Sequence, residues 1–168
     1  MHDPHHHHDD DDDHHHHDED HERGMFSPAV PILRVADYEA SVAYYTEKLG
    51  FTEDWRAGTF GSVTRDRLSL MLCQGSQGHA GTWLWAGVRD ADAVHEELVR
   101  RGARIRHPPT NYPWHSHEVH VFDIDDHVIR FGSESKPGAP LGPWLDEEGV
   151  LWQPNEDGSR WSRVEAAG

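Results

Sequence analysis

Within six residues the chain sets His115, His117, Glu118 and His120, with His107 a little upstream. Imidazoles and carboxylates at such spacing are the side chains that hold zinc or copper. Along an extended strand His115 and His117 would face one way, and Glu118 and His120 the other. Two imidazoles two residues apart on one face could form part of a metal site. The commoner use of such a pattern is a polar, partly exposed edge strand. Nucleophilic chemistry finds less support. Cys73, the single cysteine, ends the run LSLMLC, whose apolar residues predict a buried strand where a thiol is inert. No Gly-rich stretch reads as a phosphate cradle.

Aromatic residues offer a second kind of chemistry, the recognition of a flat ligand. Trp55 and Phe60 lie five residues apart, Trp83 and Trp85 two apart, and Trp114 follows Pro113. A ring held between aromatic faces gains about 0.5–1.5 kcal/mol per pair beyond the area buried. Trp83 and Trp85 share one sheet face, which suits core packing first and ligand contact second. Trp55 at a strand end and Trp114 in a loop are harder to explain by core packing. Asp54, Glu53 and Glu118 could answer a cationic group, although such residues more often form a solvated face.

The elements that must carry these residues come in two similar sets. Residues 30–35 (VPILRV) predict a strand, Asp37 a helix N-cap, Val42, Tyr45 and Leu49 a helical stripe, and Gly50 the stop. Residues 82–88 predict a second such strand, followed by Asp90, the stripe Val94 and Leu98, and Gly102. The caps are 53 residues apart and the stop glycines 52, an internal repeat. Residues 51–55, 60–65 and 68–73 read as strands after the first helix; residues 104–106, 117–122 and 128–131 read so after the second. Two tandem βαβββ units in an α+β domain, with side-by-side sheets curling around a cleft, are therefore expected over residues 25–134.

Two flanks lie outside that domain. Residues 1–24 hold ten His, ten acids and one Arg, with almost nothing apolar, and so predict a disordered low-complexity tail. It is suited to adventitious zinc, nickel or copper, and its irregular blocks read as natural sequence rather than a purification tag. Residues 135–142 are rich in Pro and Gly and read as a linker. Residues 149–153 and 159–163 then predict a β-hairpin which, with Trp144, Trp152 and Trp161, has apolar surface to hide against the body. The formal charge is −16, of which about −7 belongs to the chain beyond the tail. Such a charge disfavours nucleic acid and anionic membrane and favours cationic ligands, or simply keeps the protein soluble. No apolar run approaches membrane-spanning length and no signal-peptide core is visible, which places the protein in the cytoplasm.

Taken together, KLGF, GSVTRDRLSL, TWLWAGVRD and the later PW…E…D…IRF make residues 29–133 similar to the bleomycin-binding resistance proteins of the vicinal oxygen chelate (glyoxalase/bleomycin resistance/dioxygenase) superfamily. The resemblance implies a homodimer, often with the first strand exchanged. It further implies two clefts at the dimer interface where a cationic aromatic drug is sequestered from DNA without turnover, giving antibiotic resistance. Trp55, Phe60, Trp83, Trp85 and Trp114 stand at the family's aromatic positions. Superfamily enzymes hold a metal on four strands that read PILRV, LSLMLC, TWLWAGV and HVIRF in this chain. Arg130 occupies the place of a metal-binding Glu, and a guanidinium cannot ligate a metal. His127 lies at a turn rather than inside a strand. No resident cofactor is expected, and a binder is favoured over an enzyme. The alternative is a metal-dependent glyoxalase- or dioxygenase-type enzyme with a non-standard site using His115, His117 or His120. The chain departs from the family at His115-Ser116-His117 and at Asp123–Asp126.

Overall fold

Asp37 and Asp90 start the two helices. In this computed structural model, which describes residues 24–165, Asp37 accepts from the Ala40 N–H at the head of α1 (Tyr38–Glu47). Asp90 accepts from the Asp92 and Ala93 N–H groups at the head of α2 (Ala91–Arg101). These bonds satisfy donors that the first helical turn leaves free. After each helix the chain reverses at a left-handed glycine, Gly50 (φ 75°) and Gly102 (φ 77°).

The strands repeat in the same way. β1 (Ile32–Arg34), β2 (Thr52–Ala57), β3 (Phe60–Arg65) and β4 (Leu68–Cys73) form one sheet in the order β1-β4-β3-β2. β5 (Trp83–Gly87), β6 (Arg104–Tyr112), β7 (Ser116–Phe122) and β8 (Val128–Glu134) form a second in the order β5-β8-β7-β6. In both, the first strand pairs parallel with the fourth and the others run antiparallel. The result is the expected pair of mixed-sheet βαβββ units.

One core serves both units. Leu33, Val63, Leu70 and Leu72 of the first sheet meet Val119, Val121, Ile129 and Phe131 of the second, with Tyr45, Leu49 and Leu98 of the helices between them. Polar bonds fix the units to one another inside it. Tyr45 donates to Asp123 at 2.8 Å in a buried contact, and Tyr44 donates to the Phe122 carbonyl at 2.8 Å. His127, just ahead of β8, reaches the Arg34 carbonyl through Nε2 at 2.6 Å.

Three elements differ from the sequence expectation. β6 continues to Tyr112 through Pro108 and Pro109, and it does so at a sheet edge with two register shifts against β7. A proline costs no ladder bond where its missing N–H would face outward. β7 is not an edge strand: it lies between β8 and β6 and is buried along nearly its whole length. The C-terminal hairpin gains a strand, so that β9 (Trp144–Leu145), β10 (Leu151–Pro154) and β11 (Trp161–Arg163) make a three-stranded sheet in the order β11-β10-β9.

That small sheet is docked on the second unit. Arg106 donates to the Leu145 carbonyl at 2.7 Å and to the Asp146 carbonyl. Asn111 Nδ2 donates to the Lys136 and Ala139 carbonyls of the linker, at 2.9 and 3.2 Å. The turn at Gly158 lies so close to Pro113 that a Cβ there would stand 2.5 Å from the proline ring. The His- and Asp-rich tail, residues 1–23, lies outside the described residues. Among the described residues no helix is long and apolar enough to cross a membrane. Deleting residues 136–168 uncovers Tyr112, His120 and Trp83, so the thermal midpoint should drop by at least about 5 °C and solubility should fall. An unchanged midpoint in a melting experiment would show the extension to be a passenger.

Candidate functional site

Each sheet turns one face to the core and leaves the other open. On the second sheet the open face carries Trp83 and Trp85 from β5, Arg130 from β8, and Glu118 and His120 from β7, because strand alternation puts these residues opposite the core-facing Leu84, Ile129 and Val119. Trp83 and Trp85 therefore do not pack into the core. Trp83 is half-buried beneath the Arg106 guanidinium, 4.6 Å from its ring centre, and Trp85 is 54% exposed. Trp85 lies over Gly132, where any Cβ would strike its indole.

Glu118 is the hub. It has no exposed surface and accepts from four donors. His120 Nε2 (3.0 Å) and Arg130 Nε (2.8 Å) reach Oε1, while Trp114 Nε1 (2.8 Å) and Arg130 Nη2 (3.1 Å) reach Oε2. Burial works against its charge, yet the hydrogen bonds from His120, Arg130 and Trp114 outweigh burial and hold the carboxyl far below the usual carboxylate range. His120 is itself fully buried and depressed by loss of solvent. With Nε2–H given to Glu118, its Nδ1 keeps a lone pair that has no partner. His107, 6.2 Å away ring to ring, is depressed by burial and by the neighbouring His120.

Aromatic rings surround this hub. Tyr112 stacks on His120 at 5.6 Å and on Trp114 at 4.9 Å, and Trp144 from the C-terminal sheet stands edge-on to His120 at 5.1 Å. The Arg130 guanidinium lies 5.5 Å from the Trp114 ring centre and 5.1 Å from that of Trp144. Beside the hub opens a cleft of about 630 Å³, lined by Trp85, Trp114, Arg130, Ser116 and Gly132 among others. Its mixture of indole faces and a few polar groups is suited to a drug-sized molecule.

The expected histidine group is dispersed. His115 stands outside β7 in a left-handed backbone conformation (φ 59°), so strand alternation does not reach it. His117 points to the opposite side from His120, where it meets Asn111 Oδ1 at 2.8 Å and Asp92 Oδ1 at 2.9 Å. Among the described residues no three His, Cys, Asp or Glu side chains converge as a metal site would require. The superfamily enzymes' metal does not fit the residues present at the cleft. The Arg130 guanidinium cannot coordinate, Glu118 has both oxygens engaged, and β5 offers two indoles.

Trp55 and Phe60 form a pair of their own, 5.3 Å apart, on the open face of the first sheet. Trp55 is 39% exposed, and the chain does not bring it to Trp114. Asp54 sits exposed at the bulge between Glu53 and Trp55, and Glu53 is taken up by Arg56. Sequence reasoning missed Tyr112, Arg106 and Asp146 at the second sheet. For Tyr112 a signal existed: it is an aromatic two residues before Trp114 in a segment without helical periodicity.

The family model described as Glyoxalase/Bleomycin resistance protein/Dioxygenase superfamily matches residues 26–131. A solved bleomycin-binding protein from bleomycin-producing Streptomyces verticillus, complexed with copper(II)-bleomycin, is 26% identical; the match covers 67% of this chain and 100% of that one at a TM-score of 0.57. A glyoxalase/bleomycin resistance protein/dioxygenase from Nocardioides shares the fold at 20% identity, 73% and 93% coverage and a TM-score of 0.53. TioX from Micromonospora sp. ML1 does so at 19%, 65%, 100% and 0.52. No curated protein matches the chain.

Two outcomes follow from the hub. Arg130→Ala strands a buried carboxylate, and should cost about 2–4 kcal/mol in urea unfolding. A loss near zero would show that Glu118 is satisfied without it. His107 and His120 both have depressed folded pKa values, so the unfolded chain binds more protons below its ordinary histidine pKa of about 6.5. Stability is then full above that pH and declines below it, and the melting midpoint should fall between pH ~7.5 and ~5.5. A midpoint flat across that interval would contradict the neutral, buried histidines.

Proposed function

The chain belongs to the glyoxalase/bleomycin resistance protein/dioxygenase superfamily, and from that membership we propose that it binds and sequesters a bleomycin-type or similar cationic aromatic small molecule, without turnover, to confer antibiotic resistance. Membership in itself supports a binding, resistance or glyoxalase-type role. The observation that carries the finer reading is the Arg130–Glu118 pair. Where a metal enzyme needs free carboxylate and imidazole donors, the carboxylate behind this cleft is buried and already engaged by four hydrogen bonds, and the cleft itself presents a cation that cannot coordinate.

The remaining features suit a binder. Exposed Trp85 and Trp114 flank a cleft of about 630 Å³, wide enough for a linked pair of aromatic rings. The acidic body attracts a cationic ligand over distance, and the strand-borne indoles hold it by stacking. A homodimer would extend the site. A second copy would set its own Trp55–Phe60 pair across from Trp85 and Trp114, joining surfaces that one chain keeps apart. Acting in the cytoplasm, such a dimer would remove the drug before it meets DNA.

Calorimetric titration of the protein with metal-free bleomycin in chelator-treated buffer tests the reading. Submicromolar binding near one drug per protomer is expected, weakened at least about tenfold by Trp85→Ala or Trp114→Ala. Absence of heat at high micromolar drug would remove bleomycin as the ligand. Stoichiometric zinc, nickel or iron retained after removal of residues 1–24 would favour a metal-dependent enzyme instead.

A further inference from the structure

Beyond residue 131, where the family-matched segment ends, three tryptophans close a second cavity. It measures about 540 Å³ and is lined by Trp114, Arg130, Trp144, Asp146, Trp152 and Trp161. Four indoles, one cation and one carboxylate therefore meet in a space large enough for a fused two-ring ligand.

The rings are arranged in a stack with a wider last interval. Tyr112 and His120 lie 5.6 Å apart at 18°, and Tyr112 and Trp114 lie 4.9 Å apart at 12°. Trp161 continues the series, nearly parallel to Trp114 at 23°, with its centre 6.4 Å away. Two faces holding a third ring between them stand roughly 7 Å apart, twice the ~3.5 Å contact distance of carbon atoms. The 6.4 Å lies between ring centres, so Trp161 must move outward before a ring can enter between the faces. Trp161 sits on β11, the short edge strand of the small sheet, where few bonds resist such a movement. Trp144, at 79° to Trp114 and 5.4 Å from it, forms the end wall.

Charge decides what kind of ring would enter. Arg130 is neutralised by Glu118, so it adds no net charge to the cavity. Asp146 makes no direct ion pair through its carboxylate, although the Arg106 guanidinium lies nearby on its main-chain carbonyl. Its Oδ2 accepts from Trp152 Nε1 at 2.8 Å, and its Oδ1 accepts from the Glu148 and Val150 N–H groups at 2.9 and 2.8 Å. Those donors keep the carboxylate ionised and aimed at the indole faces, with the Arg106 guanidinium on the Asp146 main-chain carbonyl offsetting part of its charge. A cation beside indoles and a carboxylate gains from both the ring quadrupoles and the charge.

We propose that this cavity is a separate binding site for a planar aromatic monocation, its ring between Trp114 and Trp161 and its charge toward Asp146. The site shares Trp114 and Arg130 with the Trp85 cleft and takes its other walls from residues 144–161, so changes at Trp161 test it apart from the sequestration reading.

Calorimetry of the full-length protein with N-methylquinolinium, its neutral isostere 1-methylnaphthalene, and tetramethylammonium separates ring from charge. Micromolar one-site binding of the quinolinium is expected, with the naphthalene at least about tenfold weaker and tetramethylammonium silent. In an NMR titration the Trp152 indole N–H should shift with the quinolinium alone. Trp161→Ala should lose at least about tenfold in affinity with its melting midpoint retained, and Trp161→Phe should recover most of the loss. Equal affinity for cation and isostere, tight binding of tetramethylammonium, no binding at millimolar quinolinium, or undiminished binding by both Trp161 variants would each overturn the proposal.

Discussion

A carboxylate with no access to water governs how the second half of this molecule is put together. An ionised Glu118 in the interior would be prohibitively costly alone, and it is tolerated because donors converge on both of its oxygens. Those donors come from three places. His120 shares its strand, Arg130 comes from β8, and Trp114 comes from the turn between β6 and β7. Satisfying one charge thus fixes the register of β7 against β8 and sets the direction of the Trp114 ring. The guanidinium that completes the set then faces outward onto Trp114 and Trp144. Through that face, the constraint reaches the C-terminal sheet.

The same constraint explains why the two halves, alike in topology, differ in what their open faces can do. The first sheet presents Trp55 and Phe60 with Ser62 and Met71, and carries no buried charge there. The second presents a rigid polar centre ringed by aromatics. Duplicated architecture has been filled with unlike chemistry, and the ligand-recognising character is concentrated in the second unit. A metal held on this face would need Glu118 to be free of Arg130. Both are committed to each other.

Much of this organisation was legible in the residues. The N-caps Asp37 and Asp90 and the glycines after the helices carry fixed local geometry, and their near-equal spacing exposes the repeat. What could not be read was burial that depends on distant strands. The polar sequence from Ser116 to His120 looks like an edge, because nothing local reveals that Arg130 and Trp114 will satisfy Glu118, or that Asn111 and Asp92 will meet His117. Trp83 and Trp85 misled for a related reason. Alternation assigns them a common face, but whether that face is core or cleft is decided by where the helices pack. The role of Trp144 was hidden too, since a two-residue strand has no periodicity to detect.

The manner in which the C-terminal sheet is fastened has an evolutionary corollary. Arg106 and Asn111 hold it by its main-chain carbonyls at Lys136, Ala139, Leu145 and Asp146, groups that every amino acid supplies. The Trp152 side chain bonds within the small sheet, and Trp161 adds a single ring contact, with Trp114, to that attachment. A lineage can therefore exchange them, one substitution at a time, and redraw what the outer wall accepts while the duplicated sheets beneath keep their shape.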